Sequence, residues 1–337
     1  MKSRVSRLLW LILFLILSIY CCSQKKERID KVRKSEKIVS VPNFIADSAY
    51  QFIFDQVNLG PRVPNSPSHR NCATYLVKKL KEYGGDVTEQ DFTQVSYDGT
   101  RLYLKNIIAS FNPDASRKIL MAAHWDTRPF ADKDSININN PIDGANDGGS
   151  GVGVLLEIAR IIGKYPSPDI GVDIILFDGE DYGEPESFKN DPGYKSTAKI
   201  WWCLGSQYWS ENKHIKNYSA YYGILLDMVG GKNAKFYKEG GSMQFARKIV
   251  AKVWKAGNQL GYQAYFIDQQ SPGIMDDHVF VNRNAKIPMI NIVEFDPNDR
   301  DEYFGSYHHT HRDNMDIIDP VTLKAVGQTL LHVIYHQ

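Results

Sequence analysis

Cysteine is nearly absent from this sequence: there are four in 337 residues, two of them adjacent at Cys21-Cys22. Only Cys72 and Cys203 remain in the body of the chain. Two cysteines make no disulfide framework, and a chain this long buries a core that needs no staple, so both are expected as plain buried thiols. Net charge is equally scarce. Lys and Arg total 40 against 39 Asp and Glu, leaving +1. No basic stripe interleaved with aromatics stands out, so no nucleic-acid partner is expected. Internal repeats and low-complexity tracts are missing too. Long apolar runs are limited to one, Leu8 to Tyr20, too short for a comfortable membrane span. What remains, 43% hydrophobic and 23% charged, is the composition of a soluble globular domain.

That apolar run has a positive flank in Lys2, Arg4 and Arg7, and Cys21-Cys22-Ser23 follows it. The pattern is that of an export signal, and a cysteine at its end resembles a lipoprotein signal. Cys22 is the better acylation point, with aliphatic Ile19 three positions before it and small Cys21 just before it. Residues 1–22 are therefore expected as a signal peptide and 23–40 as a hydrophilic tether. Residues 41–337 are expected as a single catalytic domain. The protein is expected in the periplasm or outer membrane, touching membrane only through a lipid anchor or signal segment.

Helical apolar spacing covers Phe44 to Val57 and Ser68 to Tyr83. Between them, three prolines and a glycine in Gly60 to Pro67 make a stiff loop. Asp86 to Val95 and Leu102 to Ser110 read as strands joined by a turn at Tyr97-Asp98-Gly99. Strands and helices then alternate: strand Lys118 to Ala123, helix Asp147 to Ile162, strand Val172 to Phe177, helix Leu204 to Asn212, strand Tyr221 to Leu226, helix Met243 to Ala256, strand Ile287 to Val293, helix Thr322 to Tyr335. Such alternation predicts an α/β fold with a mostly parallel central sheet flanked by helices on both faces.

In such sheets ligands sit beyond the carboxyl ends of the strands. His124-Trp125-Asp126, Asp147 in its glycine-rich loop, Asp178-Gly179-Glu180-Asp181, Asp227 and His309-Thr310 all fall at or after those ends. One such carboxylate is usually a helix cap or loop ion pair; five sites are not. Mixed His and carboxylate donors without cysteine suit zinc.

The order His124-x-Asp126, Asp147, Glu180-Asp181, Asp227, His309 resembles the M28 aminopeptidase superfamily. Four further stretches are similar to the glutaminyl cyclases within it: Arg62-Val63-Pro64-Asn65-Ser66-Pro67, Leu204-Gly205-Ser206, Asp276-Asp277-His278, and His309-Thr310-His311-Arg312-Asp313-Asn314. The resemblance implies zinc-dependent cyclisation of N-terminal glutamine of peptides or proteins, with ammonia released. It implies one Zn2+ per chain held by Asp147, Asp181 and His309. Asp181 stands where many relatives have glutamate. By the same resemblance Glu180 is the general acid/base, and Asp227 and Asp276 form a hydrogen-bonded acid pair near it. Trp202 and Ile274 are expected in the substrate wall, and His124 is a remnant of a second metal site. The disulfide of animal cyclases has no counterpart, its positions corresponding to Ala123 and Val152. The alternative is a two-zinc aminopeptidase, in which His124 and Asp227 would hold the second ion.

Overall fold

The computed structural model describes residues 40–337 except 168–169, 190–198 and 299–302. The expected signal segment and nearly all of the tether lie outside the described residues. Val41–Gln337 form one compact unit. Among the described residues no helix is long and apolar enough to cross a membrane.

Helix α1 (Ala46–Asn58) leads through the proline-rich loop into α2 (Pro67–Glu82), whose first turn is capped by Ser66 Oγ accepting from His69 N. Strands β1 (Asp86–Val95) and β2 (Arg101–Phe111) form an antiparallel hairpin. Next come β3 (Lys118–His124), α3 (Gly149–Lys164), β4 (Gly171–Phe177), α4 (Leu204–Glu211) and β5 (Tyr222–Asp227). They are followed by β6 (Phe236–Lys238), α5 (Gly240–Gln259), β7 (Phe266–Gln270), α6 (Asp277–Phe280), β8 (Met289–Val293) and α7 (Pro320–Tyr335).

The main sheet runs β1-β2-β4-β3-β5-β8, with β4, β3, β5 and β8 parallel. The hairpin adds to one edge through an antiparallel β2–β4 pairing. Alternate residues of each strand face opposite ways, and both faces are covered. Ile119, Met121, Ile224 and Leu226 pack with apolar residues of α1, α3, α5 and α7. Leu120, Ala122 and Leu225 pack on the other face with Trp209 of α4, Tyr218 and Val281. The expected mostly parallel sheet with helices on both faces is therefore present.

β3 lies between β4 and β5. The chain leaves β3 for one neighbour and later returns to the other, so crossovers depart on both sides of it. That switch point opens a crevice at the carboxyl ends of these strands. Two short elements escape the sequence pattern: the parallel pair β6–β7, and α6, too brief for a periodic signal. Asp276 is the N-cap of α6.

Candidate active site

His124 is the last residue of β3 and Asp227 the last of β5. Asp147 lies just before α3, whose N-cap is Gly148. Helical geometry thus begins two residues later than the apolar pattern suggests, which leaves the Asp147 carboxylate unused as a cap. Glu180 and Asp181 follow β4, and His309 lies between β8 and α7.

These side chains converge. His309 Nε2 lies 3.2 Å from Asp181 Oδ1 and 3.6 Å from Asp147 Oδ2. On the far side of Asp147, its Oδ1 is 3.0 Å from His124 Nε2, which is also 3.3 Å from Asp227 Oδ1. His308 approaches Asp147 less closely, at 3.9 Å, and its Nδ1 is 3.0 Å from Lys133 Nζ. His309 is thus the better placed of the adjacent histidines, although donor atoms of Asp147, His308 and His309 all lie within 4.8 Å of one another. A second such group is His124, Asp147 and Asp227.

The donors fit zinc on several counts. Asp181 Oδ2, Asp227 Oδ1 and both ring nitrogens of His124 are buried without a hydrogen bond; the short His124–carboxylate approaches lack hydrogen-bond alignment. Such groups are costly unless something satisfies them. Burial and the neighbouring Asp147 push the Asp181 carboxyl well above the usual range, with Arg128 only partly offsetting them. Burial would also raise Asp147, but His124, His309 and His308 around it hold it below that range. Burial, and then Arg128, pull His309 well below the usual imidazole value, leaving it a neutral donor. A cation between Asp147, Asp181 and His309 would let both carboxylates ionise.

A second layer holds the loops. Asp126 accepts from the backbone N–H of Glu180 (3.0 Å) and Asp181 (3.2 Å), fixing the acidic pair. Asp313 does the same for Asn146 (2.7 Å) and Asp147 (3.0 Å). Arg62, fully buried, donates to the carbonyls of Trp125 (3.2 Å) and Gly144 (2.7 Å) and to that of Asp143. Arg128 grips Asp132 through two 2.6 Å bonds and donates to the Asp181 carbonyl at 3.1 Å. These supports come from distant parts of the chain. Arg128 and Asp132, four residues apart, were the ones with a local signal.

A cavity of about 300 Å³ opens onto these groups, lined among others by Asp147, Glu180, Trp202, Asp227, Ile274, Asp276 and His309. Every expected wall residue therefore borders it. A larger groove, of about 830 Å³, lies between α2 and the β1–β2 hairpin and holds none of the converging donors. Trp202 stacks parallel to His309 with ring centroids 6.0 Å apart. Glu180, Cys203 and Asp276 offer atoms within 4.8 Å of one another, and the Cys203 thiol donates to Glu180 Oε1 at 3.0 Å. Burial, reinforced by Asp276 and Asp277, raises Glu180 well above the usual carboxylate value. Burial and Asp227 push Asp276 up to about 7. Cys203, Met228 and His309 adopt left-handed backbone with φ of 58°, 49° and 56°. Each is a non-glycine residue in or beside the site, where such strain collects. Cys72 and Cys203 are both free and buried, as expected.

The parallel sheet, its switch point and the His/Asp/Glu crown at its strand ends define the class: a metal-dependent enzyme with the zinc exopeptidase fold. Residues 106–334 match Peptidase family M28. The glutaminyl cyclase of Bacteroides thetaiotaomicron, solved with N-acetylhistamine, is 51% identical; the match covers 88% of this chain and 100% of that one with a TM-score of 0.83. A Zn-dependent exopeptidase of Parabacteroides distasonis is 50% identical over 88% of this chain and 100% of that one, with a TM-score of 0.84. The glutaminyl-peptide cyclotransferase of Bos taurus is 30% identical over 80% of this chain and 76% of its own length. This chain belongs to peptidase family M28, in its glutaminyl cyclase branch.

Proposed function

We propose that this protein converts the N-terminal glutamine of peptides and proteins to pyroglutamate, releasing ammonia, with one zinc held by Asp147, Asp181 and His309. The observation that carries this reading is the second wall of the pocket. Glu180, Asp227 and Asp276 are gathered there as carboxyl groups whose proton affinity is raised. Such a wall suits a reaction that moves a proton between two nitrogens of one substrate.

Zinc, when bound, supplies a Lewis acid for the side-chain carbonyl of the glutamine. Glu180 accepts a proton from the substrate α-amine, whose nitrogen forms a bond to the side-chain amide carbon. As the bond from that carbon to the amide nitrogen breaks, Glu180 returns the proton and ammonia leaves. No water is consumed, and attack within one molecule gains from proximity. Asp227 and Asp276 are not hydrogen-bonded to each other as expected, since Asp276 accepts from Asp277 N and Asn291 Nδ2. Burial and then the Asp227 charge still raise Asp276 and favour a proton on that wall. Trp202 and Ile274 enclose the side chain in a cavity of about 300 Å³, which excludes large residues.

The one-zinc count follows from the likeness to the glutaminyl cyclases. A second ion would use His124, Asp147 and Asp227, whose donor atoms also lie within 4.8 Å of one another. Metal per chain in the purified protein tests the count: two zinc ions would overturn it. Export with a lipid anchor at Cys22 remains part of the proposal. It is supported by Lys2, Arg4, Arg7 and the apolar run before the cysteine pair; palmitate labelling that survives Cys22→Ser would remove it.

The test is mass spectrometry of a Gln-initiated peptide incubated with the zinc-loaded protein, alongside Glu180→Gln. Loss of one ammonia by the peptide, absent in the variant, is expected. Release of the first amino acid instead would establish the two-zinc aminopeptidase.

A further inference from the structure

Glu239 lies outside the pocket and is fully buried, yet it is surrounded by donors. Its Oε1 accepts from Gly241 N at 2.6 Å and from Ile274 N at 3.1 Å. Its Oε2 accepts from Ser242 N at 2.5 Å and Ser242 Oγ at 2.6 Å, with His278 Nε2 3.2 Å away. Two of these bonds cap α5, an ordinary task for an acidic residue. The bond to Ile274 is not a cap. It ties the start of α5 to the segment that carries Ile274 and Asp276 into the pocket.

Other contacts press the same segment against the same helix end. Ser271 N donates to Lys238 O at 3.1 Å, and Gly240 N donates to Pro272 O at 3.3 Å. A Cβ on Gly240 would stand 2.7 Å from Gly273 N, so the two backbones touch with no room for a side chain. The network also reaches Asp276 by a second route. Ser242 Oγ, oriented by its bond to Glu239, accepts from Asn291 N at 2.8 Å. Asn291 Nδ2 in turn donates to Asp276 Oδ2 at 2.5 Å.

We propose that Glu239 is a positioning residue for the cyclisation. From outside the pocket it sets where Ile274 closes on the substrate and where Asp276 meets Glu180. This rests on the cyclase reading and adds to it a residue that touches neither substrate nor metal. The role requires a carboxylate. Its two oxygens accept four hydrogen bonds, from Gly241 N, Ile274 N, Ser242 N and Ser242 Oγ, and a carboxylate accepts on both oxygens. A glutamine of the same size would turn an NH₂ group against either the Ile274 side or the Ser242 side.

The experiment compares the full-length zinc-loaded protein with Glu239→Gln and Ser242→Ala. Zinc per chain, Tm, and kcat and KM for ammonia release from a Gln-initiated peptide are measured for each. For Glu239→Gln the expected result is full zinc content with kcat/KM lower by roughly 10- to 100-fold, most of it in kcat, as for a catalytic group moved by a fraction of an ångström. Ser242→Ala, which keeps the bond to Ile274 but loses the link to Asn291, should shift kcat in the same direction by less. A merely structural Glu239 would lower Tm and leave kcat and KM of the folded fraction unchanged, and that outcome overturns the proposal. If Glu239→Gln does not fold, Ser242→Ala decides: unchanged kcat overturns the proposal and reduced kcat with full zinc upholds it. A wild-type protein that releases no ammonia would instead sink the cyclase reading itself.

Discussion

On one wall of the pocket Asp147 is held ionised and His309 neutral, while on the facing wall Glu180 and Asp276 hold their protons more tightly than free carboxyls do. All these groups are desolvated, so burial alone does not explain the difference. What differs is the company. Asp147 is ringed by His124, His308 and His309, whose attraction outweighs burial. Glu180 and Asp276 have further carboxyls for neighbours, whose repulsion adds to it. Asp181, on the side of Asp147, is also raised by burial and by Asp147 and needs a cation to ionise, so that wall is suited to bind one and the other to hold and pass a proton. Asp126 holds both, since its two oxygens fix the backbone N–H of Glu180 on one wall and Asp181 on the other.

Removing one member from each wall gives the largest effects and should separate them. Glu180→Gln should lower kcat/KM by roughly 10²- to 10⁴-fold and leave zinc content intact. His309→Ala should abolish activity by losing the zinc, measured as metal per chain after dialysis. If Glu180→Gln also lost its zinc, the division into two walls would be wrong.

The proton-holding wall can be read without any substrate. An ordinary aspartate titrates near 3.8, and Asp276 is pushed up to about 7. The folded zinc-free protein therefore keeps a proton that the unfolded chain releases. The sign is that Asp276 costs nothing below pH 3.8 and destabilises increasingly as pH rises towards about 7. Zinc-free Asp276→Asn should lack this slope, so its unfolding free energy should gain on wild type between about pH 4 and pH 7 in denaturant titrations. Parallel pH curves would show that Asp276 is not held protonated.

Much of this arrangement was legible in the sequence, because parallel strands announce themselves as apolar runs and the chemistry follows their ends. His124, Asp147, Glu180, Asp181, Asp227 and His309 could be placed in this way. The periodicity of α5 showed only Met243 to Ala256, since its first turn, Gly240-Gly241-Ser242, is polar and depends on the buried Glu239 cap. β8 begins at Met289 rather than Ile287 because Pro288 cannot donate to the ladder. The supports were illegible for another reason. Asp126 and Asp313 act on backbone N–H groups 54 and 167 residues away, and no local pattern encodes such a pairing.

Asp313 offers the next test, since it holds the metal wall from behind. Its carboxylate accepts from two consecutive backbone N–H groups, Asn146 and Asp147. Asn at this position can accept from one and must point an NH₂ at the other. Asp147 should then lose its fixed direction. Zinc affinity should fall by roughly 10- to 100-fold, measured against a competing chelator, while zinc-saturated kcat changes less. A fall in kcat at full zinc occupancy would extend the influence of Asp313 to the proton-holding wall.

The smallest effect is expected where the walls meet at Trp202. Its ring lies parallel to His309 on one side, and the Arg128 guanidinium sits 4.6 Å from its centre. The ring reaches this place because residue 183 is glycine: a Cβ there would fall 1.9 Å from the Trp202 Cε2 atom. In the proposed reaction Trp202 gives the substrate a flat wall without ligating metal or carrying a proton. Trp202→Ala should raise KM by about 10-fold, the loss of one to two kcal/mol of apolar contact, and leave zinc content unchanged. Gly183→Ala should shift the ring and raise KM in the same sense without removing it. If Trp202→Ala reduced zinc content instead, the indole would be holding His309 in place, and Trp202 would belong to the metal wall rather than to the substrate.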